Sequence, residues 1–101
     1  MARVKVADQA EVPAGEGRVV DAAGKTIALF NVDGSFYAID NTCAHRGGPL
    51  GEGDLEGHIV TCPWHAWRWD VTTGANANNP GVKVGCFPVT VENGQVFVEL
   101  P

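Results

Sequence analysis

Short runs that alternate apolar and polar residues fill both ends of the chain, and helical periodicity is weak throughout. Alternation with a period of two is the pattern of a half-buried strand. Two hairpins stand out. Residues 26–32 read as a strand that meets Asp33-Gly34 and returns through residues 35–39; residues 88–92 meet Asn93-Gly94 and return through residues 95–100. Asp-Gly and Asn-Gly supply the positive φ angles of a type I′ turn, whose twist matches that of paired strands. Residues 4–6, 18–22, 58–62 and 67–71 are expected as further strands. The fold class is therefore all-β, an antiparallel arrangement.

The texture changes between Asn41 and Gly81. That stretch is rich in Gly and Pro and holds all three Trp, all three His and two of the three Cys. Its expected regular structure is thin, so apolar burial alone is a weak way to hold it. The chain thus reads as a β scaffold built from both ends, with a loop-rich segment at about 41–81 inserted into it. At 101 residues, with no repeat or linker, it makes one domain over 1–101.

Composition narrows the function classes. The net charge is −5 and the seven Lys and Arg are scattered, which excludes nucleic acid as an expected partner, because phosphate binding needs a clustered basic face. No apolar run approaches the roughly 18 residues of a membrane span. The N-terminal residues lack the apolar core of a secretory signal. A cytoplasmic protein, monomeric in isolation, is the expectation. The odd Cys count argues against a disulfide framework.

Two of the cysteines sit beside histidines. Cys43-Ala44-His45 is followed, after 16 residues, by Cys62-Pro63-Trp64-His65. Each short loop offers one thiolate and one imidazole, and a tight turn can aim both at one site. Thiolate with imidazole suits iron–sulfur or zinc. The single residue between Cys43 and His45 is short for a structural zinc loop, whose paired ligands are usually separated by two to four.

The resemblance goes further than the four ligand positions. Asn41-Thr42-Cys43-Ala44-His45-Arg46-Gly47-Gly48-Pro49-Leu50 and Cys62-Pro63-Trp64-His65-Ala66-Trp67-Arg68-Trp69-Asp70 resemble the two cluster loops of the Rieske family. The resemblance implies a Rieske-like antiparallel β-sandwich with a cluster-binding subdomain, holding one [2Fe–2S] cluster. Cys43 and Cys62 would bind one iron, and His45 and His65 the other. With two thiolates the oxidised centre is neutral; with four it would be doubly negative, so imidazole ligation makes electron uptake easier.

High-potential members of the family carry a disulfide between the two loops and a Ser and a Tyr donor near the sulfurs. The matching positions here are Gly48 and Trp64, and Trp67 and Trp69. The resemblance therefore implies a potential near the low end of the range, about −150 mV. It also implies that residues 74–81 form the Pro-containing loop that shields the cluster. Ala66 stands where the family usually has Gly.

No nucleotide-binding Gly loop occurs, and Ser35 is the lone Ser. With four protein ligands, iron keeps no open position for a substrate. The expected role is that of a one-electron carrier, not an enzyme, passing electrons from an NAD(P)H-dependent flavoprotein reductase to a terminal ring-hydroxylating oxygenase. Two alternatives stand beside it: the Rieske small subunit of a nitrite reductase complex, and a zinc-stabilised interaction module. His58 is expected to be structural. Cys86 is expected to be a buried small apolar residue, and the three Trp to pack against the cluster.

Overall fold

A computed structural model describes residues 2–41, 50–63, 67–77, 79 and 81–100. Ten strands form among them, and no α-helix. The chain opens with β1 (Ala2–Asp8), a 3-10 turn at Gln9–Glu11, β2 (Gly17–Ala22), β3 (Lys25–Val32) and β4 (Ser35–Asp40). A second 3-10 turn at Leu50–Glu52 leads into three short strands, β5 (Asp54–Glu56), β6 (Ile59–Thr61) and β7 (Arg68–Asp70). The chain closes with β8 (Cys86–Phe87), β9 (Val89–Glu92) and β10 (Gln95–Leu100).

These strands build three antiparallel sheets, in the orders β1-β10-β9, β2-β3-β4-β8 and β5-β6-β7. The second sheet is the middle layer. Ile27 and Leu29 of β3 face a core completed by Val20, Ala22, Phe36 and Ala38 and, from the first sheet, by Ala7, Val96, Val98 and Leu100. Ala28 and Phe30, from the same strand, face the opposite core with Ile39, Leu50, Val60, Cys62, Trp69 and Val71. Successive side chains of a strand point to opposite faces. A strand covered on both faces therefore reads as an unbroken apolar run, and all four residues from Ile27 to Phe30 are fully buried.

Both predicted hairpin turns form. Asp33 and Gly34 have φ of 50° and 93°, and Asn93 and Gly94 have 52° and 76°. A third hairpin joins β2 to β3 through Ala23 and Gly24, at φ 51° and 86°. An Ala in the left-handed region is disfavoured by its Cβ, so Ala-Gly announces such a turn far more weakly than Asn-Gly does. Strand β5 was not expected either: at three residues it is too short to establish an alternation. Strand β8 falls where Val84 to Phe87 show strand-like spacing.

Cys86 departs from the expectation: it is exposed, not buried. It stands on the two-residue edge strand β8, opposite Ile39. Among the described residues no strand pairs with β8 on its outer side. The Cys86 Sγ lies 3.8 Å from the carbonyl of Thr72. Partial desolvation, and then the Asp70 carboxylate, push its thiol above the usual pKa.

Candidate metal centre

Of the four expected ligands, Cys62 lies among the described residues; Cys43, His45 and His65 lie outside them, as do Arg46, Gly47, Gly48, Pro49, Trp64 and Ala66. Cys62 is 1% exposed and belongs to the second core. It follows β6 directly. The register Val60↔Trp69 and Thr61↔Arg68 sets Cys62 opposite Trp67, and the Cys62 N–H donates to the Trp67 carbonyl at 2.7 Å. The segment carrying His65 therefore leaves and rejoins the β6–β7 hairpin at one closed rung.

The other loop is closed as tightly. Leu50 N–H donates to the Asn41 carbonyl at 2.8 Å, and Gly51 N–H donates to Asn41 Oδ1, also at 2.8 Å. The stretch 42–49, which carries Cys43 and His45, thus begins and ends at one buried asparagine. Its exit must lie close against β2: a Cβ on Gly51 would stand 2.7 Å from Val19 Cγ2 and 3.0 Å from Asn41 Oδ1. Asn41 heads the first loop, and its closing role is set by bonds that span the loop to Leu50 and Gly51. An Asn just before a ligand is the signal that sequence offers for it, since Asn bonds readily to nearby backbone.

A third loop packs beside the hairpin. Ala77 N–H donates to the Arg68 carbonyl at 2.8 Å, and Asp70 N–H donates to that of Ala75, also at 2.8 Å. Buried Asn76 bridges to Trp69, and its Oδ1 accepts from Asn79 N–H at 3.0 Å. Asn78 and Pro80 lie outside the described residues. Gly74, Ala75, Asn76, Ala77, Asn79 and Gly81 follow the β6–β7 hairpin, where the shielding loop was expected.

Trp67 and Trp69 stack with ring centroids 6.2 Å apart. Trp69 is fully buried in the second core, and its indole Nε1 has no hydrogen-bond partner among the described residues. An unmatched buried donor costs on the order of 1–3 kcal/mol, so an acceptor beyond the described residues is called for. His58, by contrast, is exposed; its Nδ1 lies 3.2 Å from Asp70 Oδ1. Burial would raise the Asp70 pKa. Hydrogen bonds from the Thr72 hydroxyl and N–H, and the His58 contact, outweigh it and hold the carboxyl below its ordinary value. This pair sits at the Ile59↔Asp70 end of the β6–β7 hairpin, away from the Cys62–Trp67 rung.

The donor set fits a sulfur-containing cluster: a buried thiol at a closed hairpin rung, a second Cys–His loop closed at Asn41, and an orphaned indole N–H in the same core. Comparison with known proteins agrees. Residues 2–88 match the model of the Rieske [2Fe-2S] domain. The 3-phenylpropionate/cinnamic acid dioxygenase ferredoxin subunit of Escherichia coli (strain K12) is 40% identical over 103 aligned residues, spanning 100% of this chain and 96% of that protein. A solved complex of reduced oxygenase and oxidised ferredoxin in carbazole 1,9a-dioxygenase contains a chain that superimposes with a TM-score of 0.86 at 36% identity, covering 95% of this chain and 91% of that one. A protein proposed to be the small subunit of an NADPH nitrite reductase shares the fold at 21% identity, with a TM-score of 0.82 and coverage of 99% and 100%. The chain belongs to the Rieske [2Fe–2S] family and binds one [2Fe–2S] cluster.

Proposed function

We propose that this domain, spanning 1–101, is the electron-carrying ferredoxin of a ring-hydroxylating oxygenase system, and that Cys43, His45, Cys62 and His65 hold its cluster. The observation that carries the reading is the joint closure of the two Cys–His loops, by Asn41 and by the Cys62–Trp67 rung, against one buried core. When bound, a cluster of this kind supplies one-electron redox chemistry at neutral overall charge in the oxidised form. The chain's own residues do the rest. Cys62 presents its sulfur from the interior. Leu50, Val60, Trp69 and Val71 exclude water on that side, which strengthens every electrostatic interaction there.

The relatives favour an oxygenase over a nitrite reductase as partner. The protein at 40% identity is a dioxygenase ferredoxin subunit, whereas the nitrite reductase likeness is one of fold. A flavoprotein reductase that oxidises NAD(P)H would supply the electrons, in the cytoplasm.

Docking is proposed at the edge carrying His45 and His65, with Glu52, Asp54 and Glu56 beside it. All three carboxylates are exposed, and none pairs with a base among the described residues. Unpaired surface charge steers encounter. The test is reconstitution: the protein should contain about two irons and two sulfides and should restore turnover of a ring-hydroxylating oxygenase with its reductase, less well as salt rises. A colourless, zinc-bearing protein, or one that carries no electron to the oxygenase, would overturn the reading.

A further inference from the structure

We infer that the indole N–H of Trp69 donates a hydrogen bond to a sulfur of the cluster and thereby raises its reduction potential. The inference rests on the cluster reading above and adds to it a tuning residue within this chain. Trp69 has 0% exposure, yet its Nε1 finds no acceptor among the described residues. Its surroundings are Leu50, Val60, Ile39 and Val71. A buried water needs two to four polar partners, and this apolar wall does not supply them.

The register shows what acceptor lies within reach. Trp69 is directly opposite Val60. Cys62 is two residues beyond Val60, so its side chain leaves the hairpin on the same face as that of Trp69. Diagonal neighbours of this kind stand about 7–8 Å apart at the backbone, within reach of an aromatic side chain. Trp69 and Cys62 accordingly share one core. Sulfur bound through Cys62 is the acceptor that the centre brings to this wall.

The sign follows from charge. Reduction adds an electron, which makes the sulfurs better acceptors, so a fixed N–H donor stabilises the reduced form more than the oxidised form. Trp69 thus supplies, as an indole, a donor at a position where the lack of a hydroxyl alone would suggest none. Trp67 is different: it is half-buried and packs against the rim of the core.

The test is the reduction potential of the holoprotein and of Trp69→Phe and Trp69→Tyr, after iron and sulfide analysis. Phe keeps a ring and removes the donor; Tyr keeps a ring and returns a donor. Loss of the donor should shift the redox equilibrium about tenfold toward the oxidised form, which is 59 mV for a one-electron couple, and Tyr should recover part of the shift. Equal potentials in wild type and Trp69→Phe, with the cluster intact in both, would overturn the inference and leave the cluster reading standing. Absence of iron and sulfide from the wild type would overturn both. If Trp69→Phe fails to assemble, pulsed paramagnetic resonance of reduced wild type labelled with indole nitrogen-15 decides. A nitrogen coupling that survives both Trp64→Phe and Trp67→Phe supports Trp69; no indole coupling, or one that vanishes in either variant, refutes it.

Discussion

The two faces of the β3–β4 layer are held by different means. On one face, long strands from the chain ends interlock through Ile27, Leu29, Val96 and Val98, and β1 and β10 pair over six registered positions, from Ala2↔Leu100 to Asp8↔Gln95. On the other, strands of three residues support segments closed by individual bonds: Asn41 to Leu50 and Gly51, Cys62 to Trp67, Ala77 to Arg68. The first face is stable because many apolar groups leave water together. The second has its own buried core around Phe30, Ile39 and Trp69, and adds to it a few directional bonds and what the ligands bind. Stability is not uniform across such a molecule: the cluster end is expected to depend on its cofactor more than the sandwich does.

The sharpest way to break this contrast is to remove a ligand. Cys62→Ala should abolish the visible absorption of the cluster and increase amide exchange across residues 50–77, while exchange in β1, β3 and β10 stays slow. Retention of the full spectrum would show that Cys62 is not a ligand. Exchange rising equally everywhere would dissolve the distinction between the two faces.

A core truncation on the opposite face comes next. Leu29→Ala should cost about 2–5 kcal/mol in unfolding free energy and leave the absorption spectrum of the folded protein unchanged, because Leu29 belongs to the core away from Cys62. Denaturant titration and spectroscopy on one sample measure both.

Asn41→Ala should cost about 1–3 kcal/mol, since it strands the Gly51 N–H in a buried site. The loss should fall mainly on the cluster end, as faster release of iron to a chelator. Iron retention equal to wild type would remove Asn41 from the closing role.

Acid sharpens the comparison at its edge. The Asp70 carboxyl is held below its ordinary pKa in the folded state. The stability it contributes is therefore present above about pH 4 and is lost as pH falls through the folded value. Asp70→Asn should lower Tm at pH 7, and the difference from wild type should shrink as pH falls below the ordinary carboxylate range. A constant difference over that fall in pH would show that ionisation of Asp70 contributes nothing.

The smallest effect belongs to Cys86. Cys86→Ala should change stability by no more than about 0.5 kcal/mol and leave the spectrum intact. Because the thiol is exposed and its pKa is raised, its alkylation should be slow at neutral pH and quicken in alkali. Loss of the cluster on this substitution would give Cys86 a role that its place on β8 does not suggest.

Much of this molecule was legible in the order of its residues. Local chemistry determined the hairpins at Asp33-Gly34 and Asn93-Gly94, because positive φ is a property of those residues themselves. The pairing of one Cys with one His in each of two short loops, with 16 residues between them, singled out the metal chemistry for the same reason: ligand type and close spacing are local. Tertiary structure decided what depends on neighbours distant in the chain. It buried both faces of Ile27 to Phe30, closed the first loop on Asn41, left Cys86 open on a sheet edge, and stranded the Trp69 indole N–H beside Cys62. A side chain's partners and exposure are set by whichever elements pack against it. Those contacts join residues such as Ala28 and Trp69, which no pattern of local alternation brings together.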